Sequence, residues 1–232
     1  MDPSGATWLA EWPPGWFVHH VSETGSTNTD LLRMAAEGAP DHTVVYADHQ
    51  TAGRGRLDRR WEAPPGANLL VSMLFRDPPV HRHQLTQRVA LAAADAALEV
   101  AGVHAAVKWP NDLLVGEAKL AGVLAQGADD HVVVGLGLNI GWAPPGAARL
   151  GDSVPVSSVL AAVLTAYDRL PADVHSLYRA RLATIGRQVL VQLPTSTIDG
   201  RAVDVGADGR LAVIDECGVT HHVDTGDVVH LR

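Results

Sequence analysis

After Gly186 the chain is cut every few residues by turn pairs, Asp199-Gly200, Asp208-Gly209, Cys217-Gly218 and Gly226-Asp227, with short runs rich in Val, Ile and Leu between them. Stretches so brief and so densely punctuated bury their apolar side chains by pairing as strands. Runs at 189–193, 202–205, 211–214, 220–223 and 228–231 are therefore expected to form a small β-barrel. Nothing upstream has this texture. The expected organisation is a lead-in over 1–20, a main domain over 21–185 and the small barrel over 186–232.

The main domain mixes two periodicities. Trp8, Trp12 and Trp16 have helical spacing, but Pro13 and Pro14 interrupt it, so a loosely structured lead-in that packs aromatics on the body is expected. Leu31, Leu32, Ala35 and Ala36 predict a helix from about Thr27, stopped by Gly38; Leu85, Val89, Ala92, Ala93, Ala96 and Val100 predict a longer one ending at Gly102. Further helices are expected at 157–169 and 172–184, after a Pro/Gly loop at 142–155. Strand-like runs lie at 43–47, 69–75, 105–108, 113–115, 120–124 and 132–140, and Gly116-Glu117 suits a hairpin between two of them. A mixed or antiparallel sheet follows.

Composition narrows the function classes. Lys+Arg 18 against Asp+Glu 26 gives a net charge of −8, which argues against broad binding to a nucleic-acid backbone. The single cysteine, Cys217, excludes an intramolecular disulfide framework and a cysteine-based zinc site, so a reducing, cytoplasmic compartment is expected. No apolar run approaches the roughly 18 residues that span a bilayer, so no membrane partner is expected. His19-His20, His81-Arg82-His83 and His221-His222 lack the helical i, i+4 spacing of a metal pair. Neither a Gly-x-Ser-x-Gly elbow nor a Walker-type phosphate loop is present.

Chemistry-bearing residues concentrate in three places. Gly53-Arg54-Gly55-Arg56-Leu57-Asp58-Arg59-Arg60-Trp61 sets four arginines among two glycines just after a strand. Guanidinium groups and glycine backbone suit an anion; a solvated basic loop or an RNA-touching segment is the alternative. Lys108-Trp109-Pro110-Asn111-Asp112, with Lys119 following, would gather phosphate donors and one acid at a strand end, or be a Trp-Pro turn with a surface ion pair. Gly135-Leu136-Gly137-Leu138-Asn139 is a strand whose glycines leave room for a ligand or for a close backbone crossing.

Taken in order, Gly25-Ser26-Thr27-Asn28, Gln50-Thr51-Ala52-Gly53-Arg54-Gly55-Arg56 with Trp61, Lys108-Trp109-Pro110-Asn111-Asp112, Lys119-Leu120-Ala121-Gly122 and Gly137-Leu138-Asn139 resemble biotin protein ligase across 21–232. The resemblance implies an α+β fold, a mixed sheet flanked by helices of the class II synthetase-like kind, with a C-terminal SH3-like β-barrel. It implies that biotin and ATP give biotinyl-adenylate, and that the acyl group passes to a lysine of a biotin carboxyl carrier domain. The short N-terminus is similar to the branch without a DNA-binding domain, so no DNA partner is expected.

Carried over residue by residue, the resemblance assigns Lys119, Arg54 and Asp112 to catalysis. It assigns Ser26, Thr27, Asn28, Gln50, Gly53, Arg54, Gly55, Arg56 and Lys119 to biotin. Arg54, Arg56, Trp61, Lys108, Asn111, Asn139 and Arg232 go to the nucleotide, and Asp112 to Mg²⁺. One departure stands out: the family's loop usually reads Gly-Arg-Gly-Arg-x-Gly-Arg, whereas Leu57-Asp58 occupies the x-Gly positions here. An aspartate tolerates positive φ at a cost on the order of 1 kcal/mol, and its charge could pair with Arg59 or Arg60 or weaken the hold on an anion. A lipoate or octanoate transferase of similar core would be expected to carry an Arg-Arg-x-Ser-Gly-Gly-Gly-type segment, which the sequence lacks. A non-catalytic anion- or RNA-binding module is the remaining alternative.

Overall fold

The computed structural model describes residues 12–57, 59–127, 130–224 and 226–231; Trp8, Asp58 and Arg232 lie outside them. Its larger sheet has seven strands in the order β1-β2-β3-β7-β6-β5-β4. They are β1 (Phe17–Thr24), β2 (Thr43–Gln50), β3 (Leu69–Arg76), β4 (Ala106–Lys108), β5 (Asp112–Val115), β6 (Ala118–Gly127) and β7 (His131–Leu138). The edge strand β1 runs parallel to β2, and the other pairs are antiparallel, which makes the sheet mixed, as expected.

The sheet is buried unequally on its two faces. From β3, Leu69, Val71, Met73 and Phe75 join β7's Val132, Val134, Leu136 and Leu138 in one cluster. The long helix α2 (His83–Ala101) and α3 (Val156–Arg169) close over that cluster. Gly102, at φ 65, ends α2 in the left-handed conformation that glycine adopts without a steric penalty. The opposite face receives a shorter helix, α1 (Thr27–Ala36), whose Leu31 and Ala35 cover Val45, Leu74 and Val133. A helix of ten residues spans about 15 Å, too short to cover the sheet. What it leaves open includes the β7 backbone at Gly135 and Gly137.

Three elements differ from the sequence expectation. β1 begins at Phe17, within the stretch read as lead-in; its irregular burial gave no alternation to detect. The helix expected over 172–184 is α4 (His175–Ala180). It stops because the chain then bonds to β4, Arg181 O accepting from Val107 N and Ala183 N donating to Val107 O. Asp199-Gly200 is not a turn. It lies inside β9 (Thr197–Val205), where a Cβ on Gly200 would stand 2.4 Å from Ile214 O, so glycine lets the neighbouring strand approach. The reversal before β9 is instead closed by Leu193 N donating to Ser196 O.

With β8 (Gln188–Gln192), β10 (Leu211–Asp215), β11 (Thr220–Val223) and β12 (Asp227–His230), β9 forms a five-stranded antiparallel sheet in the order β11-β10-β9-β8-β12. This is the C-terminal SH3-like unit. It is bonded to the turn between β4 and β5 and to the start of α2: Trp109 Nε1 donates to Gly209 O at 3.0 Å, and His83 Nε2 lies 3.1 Å from Ala207 O. His230 Nε2 is 3.1 Å from Thr184 Oγ1. Burial pushes both histidines below their ordinary pKa, aided by His81 and His175 around His83 and by Lys108 and Arg187 around His230. Asp208 and Glu117 act in the opposite sense.

A histidine pKa lowered by folding means that the unfolded chain binds more protons below about pH 6.5. Stability is therefore expected to fall as pH drops through that value. Thermal unfolding checks this. The decrease in Tm between pH 7.5 and 5.5 is expected to shrink by a few degrees when His83 and His230 are both replaced by Gln. An unchanged decrease contradicts the assignment.

Candidate active site

The face that α1 leaves open holds a cavity of about 260 Å³, at the small end for a ligand pocket. Its polar end is built at the start of α1. Thr27 N donates to Gln50 Oε1 at 2.8 Å, so a β2 side chain satisfies one of the N–H groups that a helix start leaves unpaired. Thr27 Oγ1 is 3.0 Å from the same oxygen. Asn28 is fixed within the protein: its Nδ2 donates to Leu124 O at 3.3 Å and Gln126 Oε1 at 2.8 Å. The middle is apolar, with Val123, Leu124 and Leu136.

At the other end lie Lys119, Asp112, Asn111 and the arginine loop. Lys119 Nζ is 2.7 Å from Asp112 Oδ1, its charge held at one point by the β5–β6 hairpin. The loop closes on itself through Trp61 N donating to Gly53 O and Gly55 N donating to Arg59 O. Leu57, at φ 54, takes the left-handed conformation at its tip. Trp61 then lies over β7: a Cβ on Gly137 would stand 2.4 Å from Trp61 Cε2, and Lys119 Nζ is 5.6 Å from the ring centroid, a cation–π distance. A Cβ on Gly135 would meet Asn28 Oδ1 at 2.4 Å. The β7 glycines thus make room for the protein's own side chains.

Two arginines tie the loop to the rest of the chain. Arg56 donates to Asn111 Oδ1 at 3.2 Å and Gly226 O at 3.3 Å. Burial pushes this guanidinium below its ordinary pKa, with Asp112 and Asp227 raising it in opposition. Arg59 pairs with Asp227 at the start of β12, and this hydrogen-bonded partner holds the Asp227 carboxyl below the usual range. That pairing is present above the ordinary carboxylate pKa and is lost as pH falls through the lowered value. Asp227→Asn is expected to raise trypsin cleavage after the loop arginines at pH 7.5 by roughly threefold to fivefold, the scale of an exposed ion pair. Cleavage at the wild-type rate contradicts the latch.

Of the residues singled out in the sequence, Ser26, Thr27, Asn28, Gln50, Arg54, Gly55, Arg56, Trp61, Asn111, Asp112, Lys119 and Asn139 line the one cavity. Gly53 does not line it but closes the loop's neck, where a Cβ would be 2.3 Å from Trp61 O. Lys108 also lies off the lining, its charge acting on Glu117, Asp227 and His230. Asn139 uses its Nδ2 on Ala148 O at 2.9 Å and Lys119 O at 3.3 Å, which anchors the Lys119 backbone. Sequence reasoning missed Glu62 and Asp227 on the lining and Ser72 behind it, bonded to Thr27 and Asn28. Only Ser72 had a signal, as the one hydroxyl within the apolar run 69–75.

A hydroxyl-and-amide end, an apolar middle and a cationic end under an arginine loop define a site for a small acid with a neutral polar head, joined there to a second anion. The sequence matches the biotin/lipoate A/B protein ligase family over residues 21–139 and the biotin protein ligase C terminal domain over 184–231. It is 41% identical over 239 residues, covering 91% of this chain and 88% of the relative, to the Mycobacterium tuberculosis protein named Biotin--[acetyl-CoA-carboxylase] ligase. A Paracoccus denitrificans protein of the same name is 30% identical, covering 84% of this chain and 92% of the relative. The fold matches the biotin protein ligase from Aquifex aeolicus in complex with biotin and ATP, with a TM-score of 0.76, 24% identity, and coverage of 93% of this chain and 99% of that one. The chain belongs to the biotin/lipoate A/B protein ligase family, and within it to the biotin protein ligases.

Proposed function

We propose that this chain activates biotin with ATP to biotinyl-5'-AMP and transfers the biotinyl group to a lysine of a biotin carboxyl carrier domain. The observation that carries it is the cavity's polarity, with Thr27 and Gln50 at one end and Lys119, fixed 2.7 Å from Asp112, at the other. In the first step a biotin carboxylate oxygen bonds to the α-phosphorus and the bond to pyrophosphate breaks. Two anions must meet, so fixed positive charge that needs no reorganisation lowers the barrier. Lys119, Arg54 and Arg56 supply it, and Ser26, Thr27 and Gln50 take the neutral ureido ring. Trp61 covers the bound acid. Asn111, with Arg56 on its Oδ1, holds the loop against β6.

In the second step the acceptor amine attacks the acyl carbon and AMP leaves with the bonding pair. The amine must lose protons on the way, and in this reading Asp112 is the carboxylate that orients it. Mg²⁺ accompanies ATP. Among the described residues no cluster of three His, Cys, Asp or Glu could hold a metal alone. Asp112 fits the usual Mg²⁺ pattern, in which one or two carboxylates add to the nucleotide's phosphates, and the ion would supply charge neutralisation there. Lys108 and Arg232 complete the nucleotide side of this proposal, Lys108 through the field it shares with Asp227. The carrier is the carboxyl carrier domain of an acetyl- or acyl-CoA carboxylase. Its setting is the cytoplasm, in keeping with one unpaired cysteine and, among the described residues, no helix long and apolar enough to cross a membrane.

Pyrophosphate release with ATP and Mg²⁺ tests the first step. Release with biotin and none above background with lipoate is expected; the reverse order assigns the chain to the lipoate branch. Supplying synthetic biotinyl-adenylate to Asp112→Asn then isolates the second step.

A further inference from the structure

Asn68, at the entrance to β3, is 1% exposed and does not line the cavity, yet both ends of its amide are bonded. Its Oδ1 accepts from Ile140 N at 2.9 Å and from Trp142 N at 3.2 Å. Gly141 N donates to Ala67 O at 2.8 Å, so three consecutive N–H groups just after β7 end on residues 67 and 68. The Asn68 Nδ2 faces the other way and donates to Asn139 Oδ1 at 3.3 Å. Asn139, 3% exposed, turns its own Nδ2 to Ala148 O at 2.9 Å and Lys119 O at 3.3 Å. Each amide therefore has only one orientation that satisfies its neighbours.

The two amides grip the two ends of one segment. Residues 141–150 carry Pro144 and Ala147 into the cavity wall. One root is tied to Asn68 through Trp142 N, and the other to Asn139 through Ala148 O and through Leu150 N, which donates to Asn139 O at 3.1 Å. Ala148 N also donates to Lys119 O at 2.9 Å, so this wall stands beside Lys119, at the cationic end of the cavity. We infer that Asn68 is a positioning residue for the nucleotide: paired with Asn139, its amide clasps 141–150 against Lys119 and so sets the wall that ATP meets. The inference rests on the biotin-and-ATP reading. Lys119 Nζ is held separately, by Asp112 on β5, so loss of the clasp leaves the reacting charge in place. Such a loss removes binding shared by ground and transition state, which raises KM with little change in kcat.

Asn68→Asp keeps the shape and one oxygen toward Ile140 N and Trp142 N, but sets a second oxygen against Asn139 Oδ1. Asn139 can answer by turning over, which only moves the clash to Ala148 O and Lys119 O. Three measurements on the full chain at pH 8 read the effect: steady-state pyrophosphate release, titration calorimetry with biotin, and trypsin cleavage after Arg149, which lies in the clasped segment. The KM for ATP is expected to rise by on the order of tenfold, with kcat within about threefold and biotin affinity within about twofold of wild type. Cleavage after Arg149 is expected to quicken by on the order of tenfold. A wild-type KM for ATP overturns the inference, and so does a biotin affinity weakened in the same proportion, the mark of general damage. If Asn68→Asp does not fold, Asn68→Ser, whose shorter side chain gives up the reach to Asn139, takes its place, and a wild-type KM for ATP overturns the inference equally. Wild type that releases no pyrophosphate with biotin and ATP overturns the biotin reading and with it the nucleotide role of Asn68; the clasp itself is then overturned only if cleavage after Arg149 is unchanged by Asn68→Asp.

Discussion

Lys119→Ala is expected to lower pyrophosphate release by on the order of 100-fold or more, the loss that follows removal of one preorganised charge donor, about 2.7–4 kcal/mol. The size follows from position. Lys119 Nζ is fixed by Asp112 at 2.7 Å and backed by the Trp61 ring at 5.6 Å, so its charge is in place before two anions are brought together. Arginine is not expected to restore the rate. A guanidinium spreads its charge over a wider planar group on a longer side chain, so it does not put a compact charge at the point where Asp112 holds the ammonium. Rapid-quench measurement of pyrophosphate with saturating biotin checks both variants. A near wild-type rate in Lys119→Ala with biotin still bound contradicts the role.

The second large effect is expected at a residue with no side chain. Gly137→Val places a Cβ where Trp61 Cε2 and Nε1 now stand, 2.4 and 2.7 Å from its ideal position. The ring must leave, and the arginine loop with it. Misplacing catalytic groups by about 1 Å costs about 100-fold, so adenylation is expected to fall by that order while melting temperature changes little, the site being at the open face of the sheet. The double variant separates this mechanism from general damage. With Trp61→Ala already present there is no ring to displace, and Gly137→Val is expected to add less than about threefold. Full additivity of the two losses contradicts the loop-closure mechanism.

The elements that were legible in the sequence are those whose signal is local. The α2 periodicity up to Gly102 and the β5–β6 hairpin at Gly116 are each specified by neighbours within a few residues. β1 was hidden because its burial follows a parallel partner, β2, reached only through α1. α4 was overestimated because its stop comes from backbone bonds to Val107, set by tertiary structure. The same division holds in the site. The arginine loop, Lys119 and Asp112 were visible as residue types in order, whereas Asp227 pairs with Arg59 across 168 positions. The β7 glycines could be counted from sequence, but only the structure places Trp61 and Asn28 in the space they leave.

The most direct measurement is the intact mass of a purified biotin carboxyl carrier domain incubated with this chain, biotin, ATP and Mg²⁺. A gain of one biotinyl group, abolished when the acceptor lysine is changed to arginine or ATP is omitted, is the predicted result. An unmodified carrier after many equivalents of pyrophosphate have been released would contradict the transfer function, and biotinylation without ATP would contradict the adenylate mechanism.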